Sequence, residues 1–171
     1  MNEVFYISAV VAVLSTAMAV TRLNAVHALL YFIVSLLAVA VIFFVLGAPF
    51  IAALEVIIYA GAIMVLFVFV IMMLNLGSQA MEQESQLLGP KAWAGPSLLA
   101  VVLVGELIYL AAYTHGLSEV KTVGPKQVAI GLFGPYVIGI ELASLLLLAG
   151  LVGAYHLGRR DKTETDQRGE R

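Results

Sequence analysis

Five long apolar segments, almost free of charged side chains, constrain this chain more than any other feature. They cover residues 4–20, 25–46, 51–76, 97–113 and 135–157. An α-helix that crosses the roughly 30 Å hydrocarbon core of a bilayer needs about 17–25 apolar residues, which is close to the length of each segment. The chain is 62% hydrophobic and 12% charged, whereas a soluble domain is roughly 45–50% apolar and about 25% charged. The pattern excludes an ordinary soluble domain, a nucleic-acid binder and a disordered chain, and it predicts an all-α integral membrane protein with five transmembrane helices.

The charge and cysteine content narrow the possible chemistry. The net charge is −2, so no basic surface points to an anionic partner. The chain has no cysteine, which excludes disulfides, thiolate chemistry and iron–sulfur or cysteine-type zinc sites on it. The first apolar segment follows Met1-Asn2-Glu3 without a Lys or Arg. Because a cleavable signal peptide has a basic n-region, we expect this segment to be retained as the first span.

Short connections predict that the first three spans are antiparallel neighbours. Residues 21–24 form one tight turn, in which Asn24 is placed to cap the second helix. Residues 47–50 form another, in which Pro49 is placed to open the third helix. The later connections, 77–96 and 114–134, are longer, polar and interrupted by Gly and Pro.

The whole chain shows no internal repeat and divides by composition into a membrane domain, residues 1–158, and a charged tail, residues 159–171. The distribution of Lys and Arg predicts its orientation, because basic residues concentrate on the cytoplasmic side. The side with the first turn, the third connection and the C-terminus carries Arg22, Lys91, Arg159, Arg160, Lys162, Arg168 and Arg171, and the opposite side carries Lys121 and Lys126. We therefore expect a cytoplasmic C-terminus and an N-terminus outside.

Three carboxyls, Glu55, Glu106 and Glu141, lie within the predicted spans without a Lys or Arg. A charge at mid-bilayer costs about 2.5–3.5 kcal/mol on insertion scales, so these groups are protonated or find partners on other chains. At 1.5 Å per residue, Glu55 and Glu141 lie about 6 and 9 Å from the outer edge, where an interfacial position explains them equally well. Glu106 lies about 14 Å inside, near the midplane, although a backbone carbonyl or water can also satisfy a lone carboxyl.

The third segment contains the most informative pattern. Glu55 and Tyr59 are four residues apart and share a helix face. Tyr59 lies roughly 12 Å inside the bilayer, where its hydroxyl needs a partner such as Glu55 or a neighbouring helix. Ala60-Gly61-Ala62 follows without bulky side chains. Close helix packing explains these small residues, and so does a helix that deforms at Gly61, for instance through a π-bulge.

The other candidate features favour packing over chemistry. Glu141 and Ser144 share a face of the fifth segment, together with small residues suited to partner helices. His27 and His156 lie at helix ends, where an imidazole is solvated. No phosphate-binding glycine motif, nucleophile–base spacing or metal-ligand cluster is visible. We therefore predict no catalytic, cofactor-binding or metal-binding residue on this chain.

The string from Glu55 to Asn75, EVIIYAGAIMVLFVFVIMMLN, closely resembles the J-subunit family of bacterial NADH-quinone oxidoreductase, or respiratory complex I. The mitochondrial homologue of that subunit is NADH dehydrogenase subunit six. Residues 24–31, 133–136 and 141–150 are similar to the same family, and the resemblance covers about residues 1–158.

The resemblance implies a multi-pass subunit of the membrane arm in the bacterial cytoplasmic (inner) membrane, with a periplasmic N-terminus. It implies partner subunits that form the quinone site and the neighbouring proton channels, and it places FMN, iron–sulfur clusters and quinone on such partners. The family's third helix can hold a π-bulge around the positions that match Tyr59 to Val65, and its interconversion with regular helix is thought to gate a water path.

These implications assign roles to particular residues. Tyr59 and Gly61 are the candidates for the gate, with Val65 at the end of the bulge and Glu55 in support. Glu141 and Glu106 are further proton-path candidates, although Glu106 matches no feature of the family. 

Two other interpretations remain open. One is a purely structural scaffold subunit, and the other is the equivalent subunit of a related cation/proton antiporter or membrane-bound hydrogenase complex. A stand-alone transporter is disfavoured, because such transporters usually contain internal repeats.

Overall fold

The computed structural model describes residues 2–73, 90–113 and 122–159. Among these residues, five helices are long and apolar enough to cross a membrane. They are Asn2–Thr21, Ala25–Val45, Pro49–Met73, Trp93–Ala112 and Val137–Gly158. The prediction of an all-α protein with five spanning helices is therefore confirmed. The predicted tail beyond Arg159 lies outside the described residues.

The helices follow one another in simple order. They are α1 (Asn2–Thr21), α2 (Ala25–Val45), α3 (Pro49–Leu54), a π-helix (Glu55–Ile63), α4 (Met64–Met73), α5 (Pro90–Tyr113), α6 (Pro125–Phe133) and α7 (Val137–Gly158). The α3 helix, the π-helix and α4 run on without a break as the third span.

Both tight turns form as predicted. The Asn24 side chain accepts hydrogen bonds from the backbone N–H groups of Val26 and His27, at 2.9 and 3.1 Å, and so caps α2. Pro49 lies in the first turn of α3, where its missing N–H costs no helical hydrogen bond. Gly47 completes the second turn with a φ of 83°, a conformation that other residues rarely adopt.

Two connections are more helical than the sequence predicts. The α5 helix begins at Pro90 instead of residue 97 and continues through Pro96, which we had placed at the end of a connection. Proline is tolerated inside spanning helices because neighbouring groups satisfy the freed carbonyl. The predicted connection 114–134 contains α6, which Pro125 opens. The predicted end of the third span at residue 76 lies outside the described residues, and at the other described span ends predicted and observed bounds agree within two residues.

The helices divide into two units at residue 124. In the first unit α2 is central, because it packs against α1, the third span and α5, and α1 also contacts α5. In the second unit α6 packs against α7.

The interface between α1 and α2, which we call the α1–α2 seam, forms the core of the first unit. Its buried residues include Val4, Ser8, Val11 and Ser15 on α1 and Val34, Ser35, Ala38, Val41 and Val45 on α2. All of these except Ser35 follow the same seven-residue repeat, which places them on one stripe of each helix. Ser8, Ser15 and Ala38 are completely buried, and their small side chains let the two backbones approach closely.

Polar and aromatic contacts fasten α2 to its neighbours. The hydroxyls of Thr16 on α1 and Ser35 on α2 lie 2.7 Å apart. The Arg22 guanidinium lies 5.4 Å from the centre of the Tyr31 ring, a cation–π distance. On α5, Gly95 leaves room for the same ring, because a Cβ at Gly95 would lie 3.1 Å from the Tyr31 Cζ and closer still to its hydroxyl.

Candidate functional site

The third span changes its winding between Glu55 and Ile63, where nine residues form a π-helix. The Met64 N–H donates to the carbonyl of Tyr59, five residues earlier, and also to that of Gly61. A regular α-helix would pair Met64 with the residue four positions back. Because π-helical segments are usually single turns and are frequent at functional sites, a nine-residue segment makes this span the first candidate site.

Gly61 is the residue that makes room for the wider winding. A Cβ at this position would lie 3.2 Å from the carbonyl oxygen of Val56, closer than most real Cβ contacts. The spacing of five residues between Val56 and Gly61 is that of the π-helical hydrogen bond, so the crowding arises from the π form itself. The missing side chain therefore favours the π-helix here, with the small Ala60 and Ala62 on either side.

The π-helix is held at its ends and exposed along its length. Ala52 precedes it and Met64 follows it, and these two side chains are buried at 7% and 1% exposure. No residue of the π-helix itself is buried within the chain. The π-helix nevertheless packs against α2, as α3 and α4 do, so all three segments of the third span contact α2.

The structure gathers three of the predicted gate residues in one element. Glu55 opens the π-helix and Tyr59 and Gly61 lie within it, whereas Val65 lies in α4. The irregular segment thus begins before the expected stretch of Tyr59 to Val65 and ends before Val65.

The side chains of Tyr59 and Val65 are about half exposed on this chain, at 50% and 52%. The hydrogen bonds of the described residues include none between Glu55 and Tyr59. The Tyr59 hydroxyl therefore faces the surroundings of this chain, where lipid or another protein would meet it.

Glu106 forms a second, separate site with a residue that the sequence analysis missed. The Ser8 hydroxyl on α1 donates a 2.6 Å hydrogen bond to Oε2 of Glu106 on α5, and both residues are buried. The other carboxyl oxygen, Oε1, is buried without a hydrogen-bond partner. Ser8 could have been found from its place on the seven-residue stripe of α1, where a serine interrupts valines.

The helix bounds locate Glu106 along α5. The apolar part of α5 runs from Trp93 to Ala112. At 1.5 Å per residue, Glu106 lies about 9 Å from Ala112 and about 20 Å from Trp93. Its partner Ser8 is about 9 Å from the start of α1 at Asn2. The depth of Glu106 in the bilayer, near the midplane, stays a prediction.

The remaining candidate, Glu141, lies on α7 in the second unit and is exposed. Ser144 shares its face, as predicted, and its hydroxyl donates to the Glu141 backbone carbonyl at 2.8 Å. Within the ranges that the structure describes, no three His, Asp or Glu side chains are placed to hold a metal ion.

The described residues form five helices that can span a membrane, a π-helical segment and a buried carboxyl. These features define a multi-pass membrane protein. The chain belongs to the family described as NADH-ubiquinone/plastoquinone oxidoreductase chain 6, whose profile matches residues 15–157.

Relatives named NADH-quinone oxidoreductase subunit J are similar over nearly the whole chain. The protein of Pseudomonas aeruginosa is 58% identical over 163 residues, which cover 94% of this chain and 98% of the relative. That of Escherichia coli is 52% identical over 164 residues, covering 95% and 89%. That of Buchnera aphidicola subsp. Baizongia pistaciae is 37% identical over 161 residues, covering 93% and 98%. The resemblance drawn from the third span is therefore confirmed.

Proposed function

We propose that this chain is a membrane-arm subunit of NADH:quinone oxidoreductase that helps couple quinone reduction to proton pumping through its third span. The names of its relatives support the complex. The π-helix from Glu55 to Ile63 is the observation that supports the coupling role. The chain itself performs no redox step, and FMN, iron–sulfur clusters and quinone bind to partner subunits.

The coupling step is a change between π-helical and α-helical winding. Removal of one π-turn shifts the register by one residue, which rotates the side chains on one side of it by about 100° relative to the other. The buried Ala52 and Met64 flank the segment that carries Glu55, Tyr59 and Gly61, so one of these flanks rotates relative to the other. Rotation of the exposed Tyr59 hydroxyl makes or breaks a hydrogen-bonded path to groups on neighbouring subunits.

The proposed membrane and the orientation of the chain in it rest on the same membership of the complex. The chain lies in the bacterial inner membrane beside the quinone-site and proton-channel subunits, with the N-terminus periplasmic and the C-terminus cytoplasmic. The excess of Lys and Arg on the side of Arg22 and the C-terminus supports this orientation. Because the chain has no native cysteine, single Arg22→Cys and Lys126→Cys variants test it. A membrane-impermeant thiol reagent added to intact spheroplasts should label only Lys126→Cys.

Substitution of Gly61 in the assembled complex tests the coupling role. A methyl group at Gly61 crowds the Val56 carbonyl in the π form, so Gly61→Ala biases the span towards regular helix and Gly61→Leu does so more strongly. We expect NADH-driven quinone reduction and proton pumping to fall severalfold in Gly61→Leu and less in Gly61→Ala, at unchanged complex content. Gly150→Ala on α7 is the control, because a Cβ there meets nothing within 4 Å.

A scaffold role predicts a different pattern. In that case Glu55→Gln and Tyr59→Phe leave coupled activity normal, and Gly61→Leu reduces the amount of assembled complex instead of its turnover. Assembled Gly61→Leu complex with normal quinone reduction and normal proton pumping would contradict the proposed function. An equivalent role in an antiporter or hydrogenase is disfavoured, because the relatives above are named as oxidoreductase subunits.

A further inference from the structure

A cavity of about 250 Å³ lies between α1 and α5, next to the Ser8–Glu106 pair. Its lining residues are Glu3, Val4 and Ile7 from α1 and Gly105, Glu106 and Tyr109 from α5. Glu3 is exposed in the first turn of α1, so the cavity reaches from the end of the helix inward to Glu106. A water molecule occupies about 30 Å³ in the liquid, so this volume holds several.

The carboxyl at the inner end of the cavity is incompletely satisfied by the protein. Glu106 is 7% exposed, and the Ser8 hydroxyl bonds to only one of its two oxygens. The second oxygen, Oε1, has no partner. A buried polar atom left without a hydrogen bond costs about 1–3 kcal/mol, and more when it is charged. Oε1 has almost no accessible surface, so a water molecule from the cavity bonds to it and removes this cost only when the Glu106 side chain turns towards the cavity.

Water at Oε1 fits both protonation states of the carboxyl. In the neutral acid, Oε2 accepts from Ser8 and the acidic proton lies on Oε1, from which it donates to water. In the carboxylate, water donates to Oε1 while the Ser8 bond stays in place. With the side chain turned in this way, the proton can pass from Oε1 to water, which leaves a carboxylate and a hydronium ion, without rearrangement of the helices.

The described helices packed around the pair carry few other titratable groups. On α1 the titratable groups at this end are Glu3 and Tyr6, and on α5 the described one is Tyr109. The α2 helix contributes His27 and Tyr31, and Tyr31 lies beside Arg22 at the opposite end of α1. Among the described residues, the carboxyl that shares the cavity with Glu106 is Glu3.

We propose that the Ser8–Glu106 pair is a proton-exchange site that loads and unloads through the water-filled cavity between α1 and α5, with Glu3 at its mouth. The site is separate from the π-helix and serves the side of the membrane on which the N-terminus lies. Its ligand is the proton with its hydrating water.

The first test measures water access in the assembled complex, using the absence of native cysteine in this chain. Ile7→Cys places a thiol in the cavity lining, and Val10→Cys is the matched control on the same helix, exposed but outside the lining. Water-soluble methanethiosulfonates react with thiolates, which form only where water reaches. We expect Ile7→Cys to react at least tenfold faster than Val10→Cys, as read by the mass of this chain.

The second variant closes the cavity. A Cβ at Gly105 meets nothing within 4 Å, so Gly105→Leu fills open space without a backbone clash. Added to Ile7→Cys, it should slow the labelling at least tenfold. Val104→Leu, on the neighbouring exposed residue outside the lining, should leave the labelling rate unchanged.

The third measurement counts protons, and this part rests on the proposed function. We expect Glu106→Gln and Gly105→Leu each to lower the protons pumped per NADH oxidised by at least a quarter. Ser8→Ala, which keeps the carboxyl, should give a smaller loss. Labelling of Ile7→Cys no faster than Val10→Cys overturns the proposal, and so does a normal proton ratio in Glu106→Gln. If Gly61→Leu impairs coupling while Glu106→Gln does not, this inference fails and the proposed function stands.

Discussion

The α1–α2 seam and the third span are both apolar membrane helices, yet they are built in opposite ways. The seam repeats every seven residues and closes over completely buried Ser8, Ser15 and Ala38. The third span buries side chains at Ala52 and Met64 and leaves the π-helix between them exposed. Side chains buried along a whole stripe hold a helix in one winding, whereas the π-helix contacts α2 without a buried side chain and is less constrained.

The contrast also separates Glu106 from Glu55, two of the carboxyls of the first unit. Glu106 is held against the seam by Ser8, so its position is set by a buried part of the molecule. Glu55 is half-buried at the start of the π-helix, which contains no buried residue. A fixed carboxyl beside a cavity suits proton exchange at one place, whereas a carboxyl on a segment that changes its winding suits a gate.

The largest expected effect comes from removal of the buried end of the third span. Met64→Ala leaves a cavity next to the π-helix, and such truncations cost about 2–5 kcal/mol. We expect backbone amides of the π-helix and α4 to exchange with deuterium about thirtyfold faster or more in the assembled complex, because 1.4 kcal/mol corresponds to a factor of ten. Met72→Ala, which truncates a methionine that is 72% exposed, is the control.

Equal exchange rates in the two methionine variants would contradict the two-point description of the third span. Slower amide exchange in Met64→Ala than in the native chain would contradict the prediction as well, because the buried Met64 side chain would then strain the span instead of stabilising it.

Excess volume in the seam should have the next largest effect. Ala38→Leu forces a larger side chain into a site with no exposed surface, and overpacking costs about 1–3 kcal/mol. We expect amide exchange in α1 and α2 to rise about fivefold or more, and less of this chain to stay in the complex after mild heating. Ala53→Leu, at an exposed position of the third span, should change neither quantity. A third span as sensitive as the seam would remove the distinction between them.

The parts of the structure that were predictable from the sequence are those decided locally. The length and apolarity of each segment predicted the spanning helices, and the Asn24 and Pro49 turns follow from the hydrogen bonds that those residue types can or cannot make. The family resemblance, carried by the string from Glu55 onward, is likewise a property of sequence.

The parts that were missed depend on contacts between distant residues. Ser8 and Glu106 are 98 positions apart, so no local pattern joins them. The sequence places Pro96 at the end of a connection because proline disrupts a free helix, whereas here α5 continues through it beside the Tyr31–Gly95 contact. A π-bulge at Gly61 is one of two explanations that the residues offer for the small side chains there, and no local pattern marks its start at Glu55.

The smallest expected effect lies at the turn between the two helices of the seam. The Asn24 side-chain oxygen Oδ1 accepts from the N–H groups of Val26 and His27, and loss of such a cap costs about 1 kcal/mol. We expect Asn24→Ala to speed amide exchange at Val26 and His27 about fivefold while the buried centre of α2 keeps its protection. Asn24→Asp preserves the acceptor and should behave as the native chain. If Asn24→Ala lost protection from amide exchange along the whole of α2, the rigidity of the seam would depend on the Asn24 cap. The packing between α1 and α2 could then not be its source.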